Sequence, residues 1–471
     1  MPESSFRDPA GSCFVSKNRV FRFVRSDFVE DFESFLKSPA AAKLVGEARL
    51  VGTRKVPEPE RSSLTSEGIH LAGHGALFEH DVVFFPSYPA EWSPGMLHAA
   101  AELTLQIAEG LLADGYGIKD ATPYNVLFRG SAPIFIDLLS FERRDAADPI
   151  WRAYAQFVRT FLLPLLANKL WGLRITDAFL TRRDGFEPEE IYALASRSQR
   201  LRPLLLNLVS LPVWLGKKGK KEAVYRDSKP IDPEKARFIL SSLLRRLRHS
   251  LAALRPDPKR LSGWCGYMED HSYSDQAFAA KEQFVREALE KWKPKNVLDV
   301  GANTGHFSRL AARGGAAVVA IDSDANCIDA LWSDARSKGE RILPLVVNLA
   351  RPTPAVGWRN AECASFLKRA NCKFDCVLML AVLHHLLVTD GIPVEEVIEL
   401  AAELTTDKLI IEFVAPEDAM FRLISRGRDH LYTGLNKESF ERAAVARFNI
   451  IGSMQVPGAN RWLYAFSKKV D

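Results

Sequence analysis

The sequence predicts an α/β protein in two parts, with a doubly wound, seven-stranded sheet in the C-terminal region and an α+β domain ahead of it. Downstream of Lys295, short β-branched runs alternate with stretches of helical periodicity, which is typical of a parallel sheet covered by helices. The upstream half lacks this regular alternation. A chain of 471 residues is also too long to fold around one ordinary hydrophobic core, so two or three domains are expected.

The C-terminal elements follow one another in a simple order. Two helices are predicted between the strands, CIDALWSDARSK and VEEVIELAAEL. A PGANR turn separates the last two apolar runs, which predicts a hairpin on the edge of the sheet. The predicted strands are NVLDVG, AAVVAID, ILPLVV, FDCVLML, KLIIEFV, FNIIGSMQV and WLYAFSK.

A basic amphipathic helix between proline-bearing flanks, within residues 230–260, predicts the connection between the two parts. We therefore expect an N-terminal domain over 1–229, a helical linker over 230–260 and a C-terminal domain over 261–471. The basic face of the linker is expected to be exposed to solvent, with nucleic acid or lipid as the less favoured partner.

Composition narrows the class of protein and its compartment. The chain is 47% hydrophobic and 26% charged with a net charge of +5, which is ordinary for a globular protein and gives no clear indication of nucleic-acid binding. Six cysteines without a CxxC pair argue against a zinc ribbon or a secreted disulfide framework. Because the N-terminus also lacks the pattern of a signal peptide, we expect a cytoplasmic protein.

One apolar segment raises the question of membrane contact. Residues 203–215 are too few to span a bilayer and include an internal proline, so no transmembrane segment is predicted. The basic run that follows, GKKGKK at 216–221, leaves weak contact with an anionic membrane surface as an alternative to a buried helix with a solvated charge run. The oligomeric state is not readable from the sequence.

The strongest functional signal is VLDVGANTGHF at 297–307, a glycine-containing turn between a predicted strand and a predicted helix. Gly301 and Gly305 allow a sharp turn and a close approach to a ligand, and the helix that begins near His306 directs its amide dipoles toward that ligand. A dinucleotide site would need GxGxxG, but Asn303 and His306 occupy two of its glycine positions. This disfavours NAD.

Two acids support a nucleoside ligand instead. Asp299 ends the first strand and can anchor the loop. Asp322 ends the second strand, where a carboxylate can accept both hydroxyls of a ribose that lies across the strand ends. Because both acids lie around a glycine turn, a role in ligand binding is favoured over the alternative that they are ordinary acids at strand ends.

The motif DVGANTG resembles the acid-x-Gly-x-Gly-x-Gly signature of class I S-adenosylmethionine (SAM)-dependent methyltransferases, with Asn303 in place of the middle glycine. The segments SYSDQAFAAKEQFV, VGWRNAEC and IIEFVAPED are similar to bacterial nodulation-protein (NoeA-like) methyltransferases, and SYPAEWS and IKDATPYNVLFRG extend this resemblance loosely into the first half. The resemblance implies a Rossmann-like fold, SAM as cofactor and an unidentified small-molecule, glycan or protein acceptor. It implies that SAM is held by Asp299, Gly301, Asn303, Gly305, Asp322, Ser323, Asn348, Leu349 and Leu380.

Three residues are candidates for catalysis. His384 and His385 follow the fourth strand near the expected reaction centre, and either could be a base or a structural histidine. Glu412, at the end of strand five, could orient the acceptor or cap the next helix. Trp264 and Tyr273 could close over the methionine end of SAM, although packing is the favoured role for both.

In the first half, Asp120, Asn125 and Asp137 stand at the spacing of the catalytic-loop Asp, the metal-binding Asn and the second metal-binding Asp of protein-kinase-like phosphotransferases, which this region resembles. However, Ile118 replaces the usual histidine, Leu-Leu follows Asp137, and no glycine-rich loop or VAIK-type lysine precedes residue 100. We therefore expect an accessory scaffold, with Asn125 and Asp137 as weak metal candidates and no other metal site. The alternatives are an ATP-binding protein with a regulatory methyltransferase-like domain, and a binding protein with two inactive enzyme folds.

Overall fold

Two large β-sheets organise the protein, which is described by a computed structural model for residues 4–5, 7–66, 74–216, 231–256 and 275–469. We call the described residues up to 256 the N-terminal unit and those from 275 the C-terminal unit.

The N-terminal unit is built around a five-stranded antiparallel sheet and two small hairpin-like sheets. Its described strands are β1 (Ser4–Ser5), β2 (Gly11–Ser16), β3 (Arg19–Arg25), β4 (Thr53–Lys55), β5 (Gly75–His80), β6 (Tyr116–Ile118), β7 (Val126–Arg129), β8 (Ala132–Phe135) and β9 (Phe141–Arg143). The large sheet has the order β1-β2-β3-β5-β4, while β6 pairs with β9 and β7 pairs with β8. The β7–β8 turn contains Gly130 at φ 61°.

Helices surround these strands. Residues 154–171 form one uninterrupted helix, in which a π-helical segment joins two α-helical parts, and residues 203–216 form another of the same kind. The described helices are α1 (Ser26–Leu36), α2 (Pro39–Gly46), α3 (Glu58–Ser66), α4 (Pro94–Leu111), α5 (Tyr154–Phe157), α6 (Leu163–Trp171), α7 (Ile175–Thr181), α8 (Pro188–Leu194), α9 (Pro203–Leu205), α10 (Leu211–Gly216) and α11 (Pro233–Ala253).

The C-terminal unit contains the predicted seven-stranded sheet. Its described strands are β10 (Asn296–Val300), β11 (Ala317–Asp322), β12 (Ile342–Val346), β13 (Phe374–Met379), β14 (Thr405–Val414), β15 (Phe448–Gln455) and β16 (Arg461–Lys468). The order is β12-β11-β10-β13-β14-β16-β15. The first five strands of this order are parallel, and β16 and β15 add an antiparallel hairpin at one edge. The sequence prediction of seven strands with a terminal hairpin is confirmed.

Helices pack on both faces of this sheet, which explains why its inner strands are mostly apolar. The four middle residues of the inner strand β11 are buried, whereas the edge strand β15 buries only Phe448 and exposes most of its other residues. The described helices are α12 (Asp275–Trp292), α13 (His306–Arg313), α14 (Ala325–Lys338), α15 (Phe366–Ala370), α16 (Leu383–Val388), α17 (Val394–Leu404), α18 (Ala419–Ser425) and α19 (Lys437–Ala444).

The two units share one hydrophobic core. Phe85 of the N-terminal unit packs against Phe366 and Phe374, with ring centroids 5.8 Å away in both pairs. Beside these rings, Arg369 forms a buried ion pair with Glu91 and donates a hydrogen bond to the Pro86 carbonyl at 2.5 Å. The units are therefore joined by a packed interface.

The helix predicted within 230–260 is α11, and it packs against α4 of the N-terminal unit. Its leucine face is buried through Leu240, Leu244, Leu247 and Leu251, and the Leu251 carbonyl lies 3.0 Å from His98 Nε2. The arginines on its other face are exposed. The helix is thus an integral part of the N-terminal unit's packing as well as a connection.

The apolar segment predicted to be a buried helix is helical over 203–216, with Leu205, Leu208 and Val213 buried and Trp214 and Leu215 exposed. Most of the basic run that follows it lies outside the described residues. Across the described parts of the chain, no helix combines the length and the apolar character needed to cross a bilayer.

Candidate active site

A cavity of about 490 Å³ opens at the carboxyl ends of β10, β11, β12 and β13. In parallel sheets this edge is where ligands bind, because the loops that follow neighbouring strands meet there. The predicted cofactor residues that line the cavity are Asp299, Gly301, Asn303, Asp322, Ser323, Asn348, Leu349 and Leu380.

The loop after β10 is shaped by three residues with left-handed backbone conformations. Gly301 and Gly305 have φ of 69° and 83°, and Asn303 has φ of 48°. A Cβ atom at Gly301 would collide with Val382, and one at Gly305 would collide with Leu331. Asparagine is among the non-glycine residues that best tolerate this conformation, which accounts for its place in the motif.

Gly305 itself does not line the cavity in the described structure. It precedes the first residue of α13, as predicted from the motif, and permits close packing of the loop. The predicted strand–turn–helix arrangement is thus present.

Asp322, the residue predicted to bind a ribose, lines the cavity with its carboxylate held by the backbone. Its two carboxylate oxygens each accept a backbone hydrogen bond at 2.9 Å, Oδ2 from Asn303 and Oδ1 from Asp324. A carboxylate has about four acceptor sites, so both oxygens retain capacity for further donors. Burial raises the pKa of Asp322 above its ordinary value, against the effect of backbone hydrogen bonds from Asp324, Asn303 and Ser323.

Asp299 lies deeper, at the end of β10. It is buried, and its Oδ2 accepts a hydrogen bond from the Ser308 hydroxyl on α13 at 2.5 Å. Burial raises the pKa of Asp299 to about 7, with the nearby Asp322 carboxylate acting in the same direction. The residue therefore connects the strand end to the helix that follows the glycine loop.

The far wall of the cavity combines one amide with apolar side chains. Asn348 accepts backbone hydrogen bonds from Ala350 at 2.9 Å and Arg351 at 3.3 Å, which fixes its orientation after β12. Leu349 and Leu380 provide apolar surface. An amide beside apolar walls suits a flat, polar-edged group such as a purine.

The two predicted histidines occupy different environments although they are adjacent. His385 lines the cavity, and burial lowers its pKa. His384 is 1% exposed, and neither ring nitrogen has a hydrogen-bond partner among the described residues. Burial, aided by the neighbouring His385, lowers the pKa of His384 to about 3. Only His385 therefore faces the space where a substrate would bind.

Glu412 is fully buried and belongs to a charged cluster behind the cavity. Its Oε2 accepts a hydrogen bond from Lys281 Nζ at 2.6 Å and another from the Ala381 backbone at 2.9 Å. Arg461 lies 3.7 Å from Oε1 and also pairs with Asp418 at 2.8 Å. Since Ala381 lines the cavity at φ 55°, Glu412 holds a strained segment of the cavity wall in place.

Lys281 was not predicted from the sequence, although it lines the cavity and its side chain is only 4% exposed. It lies on the buried face of α12 with Ala277, Val285 and Leu289. A lysine at the four-residue spacing of an apolar helix face is a signal for a buried ion pair. The other cavity residues missed by sequence analysis include Phe278, Phe307, Cys327, Thr389 and Asp390.

Trp264 and Tyr273, the aromatic residues considered for closing the methionine end, lie outside the described residues. A larger cleft of about 1600 Å³ lies between the two units. It shares Ser323, Asp324, Asn348 and Arg351 with the smaller cavity.

The predicted N-terminal constellation forms one connected polar network. Asn125 Nδ2 donates to the Asp120 carbonyl at 2.9 Å and to Ser140 Oγ at 3.0 Å. Ser140 in turn donates to Asp137 at 2.5 Å, and Arg22 on β3 pairs with Asp137 at 3.1 Å. Within the part of the chain that the structure describes, no group of three or more His, Cys, Asp or Glu residues is arranged to hold a metal ion.

Comparison with known proteins gives matches along the whole chain and within the C-terminal unit. A methyltransferase-domain family model matches residues 273–449. The nodulation protein NoeA of Rhizobium meliloti (strain 1021) is 31% identical over 468 residues, which is 98% of this chain and 95% of that protein.

Two solved structures match part of this chain at low similarity. The N-methyltransferase NodS from Bradyrhizobium japonicum, in complex with S-adenosylhomocysteine (SAH), is 14% identical with a TM-score of 0.32 and covers 44% of this chain and 100% of its own. The bifunctional kinase-methyltransferase WbdD is 20% identical with a TM-score of 0.30 and covers 44% of this chain and 42% of its own. The evidence for the family relationship is the sequence identity with NoeA, together with the match to the methyltransferase-domain model.

Proposed function

The chain belongs to the family of nodulation protein NoeA and is a class I SAM-dependent methyltransferase, and we propose that the cavity at the carboxyl edge of its parallel sheet is the site of methyl transfer. The observation that carries this proposal is the placement of Asp322 and the Gly301–Gly305 loop around one cavity. A ligand with a nucleoside and a short amino-acid arm fits such a site without needing a phosphate cradle.

The residues fit SAM in three respects. Asp322 would accept the ribose hydroxyls, and Asn348 with Leu349 would contact the adenine. The bare backbone at Gly301 would admit the methionine part beside Leu380. When bound, SAM supplies an electrophilic methyl group on a positively charged sulfur. The chain's own contribution is to hold donor and acceptor in line and to exclude water.

On the acceptor side, we assign His385 as the base if the attacking atom is a hydroxyl oxygen, because it lines the cavity beside Ala381 and Leu386. A neutral amine acceptor needs no base. Glu412 and His384 are assigned positioning and packing roles, since both are buried behind the cavity wall. The acceptor itself is a small molecule, a glycan or a protein.

For the rest of the chain we propose a kinase-like N-terminal domain over 1–229, the helical segment 230–260 and the methyltransferase domain over 261–471. Support for the kinase-like fold comes from the spacing of Asp120, Asn125 and Asp137 and from the hydrogen bonds that link Asn125 to the Asp120 carbonyl and, through Ser140, to Asp137. We assign this network a structural role, because its members bind one another.

Calorimetry on the full-length protein with SAH tests the assignment of the cavity. Asp322→Ala should weaken SAH binding by about 1–3 kcal/mol because the ribose hydroxyls lose a charged acceptor. Glu396→Ala removes an exposed carboxylate on α17 outside the cavity lining and is a control that should leave affinity unchanged. Equal affinity for both variants, or tight binding of NAD in place of SAH, would contradict the assignment. Incubation of cell extract with methyl-labelled SAM would then identify the acceptor.

A further inference from the structure

Helix α14 is packed between the cofactor loop on one side and the N-terminal unit on the other. On the cofactor side, Leu331 sits against Gly305 so closely that a Cβ atom there would collide with it. On the opposite side, a Cβ atom at Gly95 of α4 would lie 2.5 Å from Asp329 Oδ1 and 2.8 Å from the Trp332 ring. A glycine on each side therefore allows both contacts, and α14 has little room to shift.

The contact with the N-terminal unit is specific as well as close. The Asp329 carboxylate accepts hydrogen bonds from the Ser93 hydroxyl and, at 2.7 Å, from the Gly95 backbone. Trp332 Nε1 donates to the Ser131 carbonyl at 3.0 Å. Asp329 thus caps the N-terminus of α4 from the other unit, and the positive end of that helix favours its negative charge.

Burial raises the pKa of the Asp329 carboxyl, while its hydrogen bonds from Ser93 and Gly95 oppose the rise. A buried acid is retained at an interface only when its donors are present. Removing the donors or the acceptor would therefore loosen this side of α14.

The cofactor side of α14 touches the ligand site at three points. Asp324, the residue before the helix, donates its backbone N–H to Asp322, the predicted ribose acceptor. Cys327 on the first turn lines the cavity, and Leu331 one turn later supports Gly305. A displacement of the helix would move the ribose acceptor and the glycine loop together.

We propose that Asp329 is a positioning residue for SAM binding, which acts by docking α14 on the N-terminus of α4 and thereby holds Asp322 and Gly305 in their binding positions. The N-terminal unit then has a direct part in methyl transfer, because it completes the support of the cofactor site. This inference rests on the cavity being the SAM site.

Calorimetry with SAH on full-length variants, well below each unfolding midpoint, is the test. Asp329→Ala should raise the SAH dissociation constant roughly tenfold, which is typical of coupled positions outside a binding site. Asp329→Asn keeps an Oδ1 acceptor for both Ser93 and Gly95 and should recover part of the affinity. If Asp329→Ala does not fold, Ser93→Ala removes one of the two hydrogen bonds and should give a smaller rise.

Arg369→Ala is the matched control, because it breaks a different buried contact between the units, the ion pair with Glu91, and Arg369 does not line the cavity. It should lower the unfolding midpoint while SAH affinity stays within about twofold, as expected for a site without coupling. Wild-type affinity in both Asp329→Ala and Ser93→Ala, or an equal loss in Arg369→Ala, overturns the positioning role. Loss of SAH binding by Asp322→Ala but not by Asp329→Ala overturns this inference and leaves the proposed function intact.

Discussion

At the scale of single residues, small differences in position decide which groups can take part in chemistry. His384 and His385 are adjacent on α16, yet His385 lines the cavity while His384 is enclosed behind it. A histidine whose nitrogens have no partner among the described residues stays neutral, because burial disfavours its charged form. Reactivity here follows from the side of the helix on which a residue lies.

His385→Ala is expected to lower turnover of a hydroxyl acceptor by roughly 10²-fold, because proton removal loses its positioned base. SAH affinity should change little. His384→Leu is the matched neighbour: it keeps much of the volume of the side chain and should retain turnover. The turnover of both variants is measured with methyl-labelled SAM and the identified acceptor. Wild-type turnover by His385→Ala would exclude His385 as the base.

Asp299 is expected to make the folding stability depend on pH, and its pKa shift gives the sign of that dependence. Its pKa is raised to about 7 in the folded protein by burial, above the unfolded value of about 3.9. The unfolded state therefore loses its proton first, so this group's contribution to stability is present below about pH 4 and is lost as the pH rises through about 7.

Asp299→Asn is expected to remove this contribution to the pH dependence of the free energy of unfolding, because asparagine is always neutral. Its carbonyl can still accept the Ser308 hydrogen bond. Urea unfolding of both proteins without SAM, at pH values from about 4 to 8, measures the difference. A constant difference between the two curves across that range would refute the raised pKa.

At the scale of structural elements, the short hairpin of β7 and β8 and the turns beside it form a closed polar network. Arg22 on β3 and Ser140 after the hairpin both bind Asp137, and Asn125 joins the same group through Ser140. A metal ion bound by Asn125 and Asp137 would have to displace these contacts. Two protein ligands also leave most of a magnesium shell to nucleotide phosphates.

We expect no thermal stabilisation of the full-length protein by ATP with magnesium, since linkage requires binding to the folded state. Asp137→Ala should instead lower stability without any nucleotide, by about 1–3 kcal/mol, because Arg22 is buried and loses its carboxylate. Thermal unfolding of both proteins, with and without nucleotide, provides the measurement. A rise of several degrees in the wild type that disappears in Asp137→Ala would establish nucleotide binding.

At the scale of the whole molecule, the two units share one hydrophobic core, and α14 beside the proposed cofactor site contacts the N-terminal unit. The aromatic cluster of Phe85, Phe366 and Phe374 and the Arg369–Glu91 pair make this interface buried and specific. Cutting the chain near residue 256 would expose these surfaces. Binding studies are therefore best carried out on the full-length chain.

Arg369→Ala is expected to lower the free energy of unfolding by about 3–5 kcal/mol, because it leaves the buried Glu91 carboxylate unpaired. Combining it with Glu91→Gln should recover part of this loss. Chemical denaturation of the single and double variants forms a double-mutant cycle. If the changes in unfolding free energy of the two single variants add up to that of the double variant, the interaction between Arg369 and Glu91 does not contribute to stability.

The sequence by itself determined the elements whose signals are local. Strand runs, helical periodicity and the turn from Gly301 to Gly305 are encoded within a few residues, so the seven strands, the terminal hairpin and the start of α13 at His306 were predictable. The acids at strand ends, Asp299 and Asp322, were predictable for the same reason, since neighbouring parallel strands end at one edge of the sheet.

Only the tertiary structure decided which distant residues meet. Lys281 reaches Glu412 across 131 positions, and Gly95 reaches Asp329 across 234 positions. No local pattern encodes such pairs, because they depend on the strand order of the sheet and on how the two units pack. The same packing buried His384 and left His385 on the cavity wall. Periodicity therefore fixes what each segment becomes, while burial and long-range contacts fix which side chains remain available for chemistry.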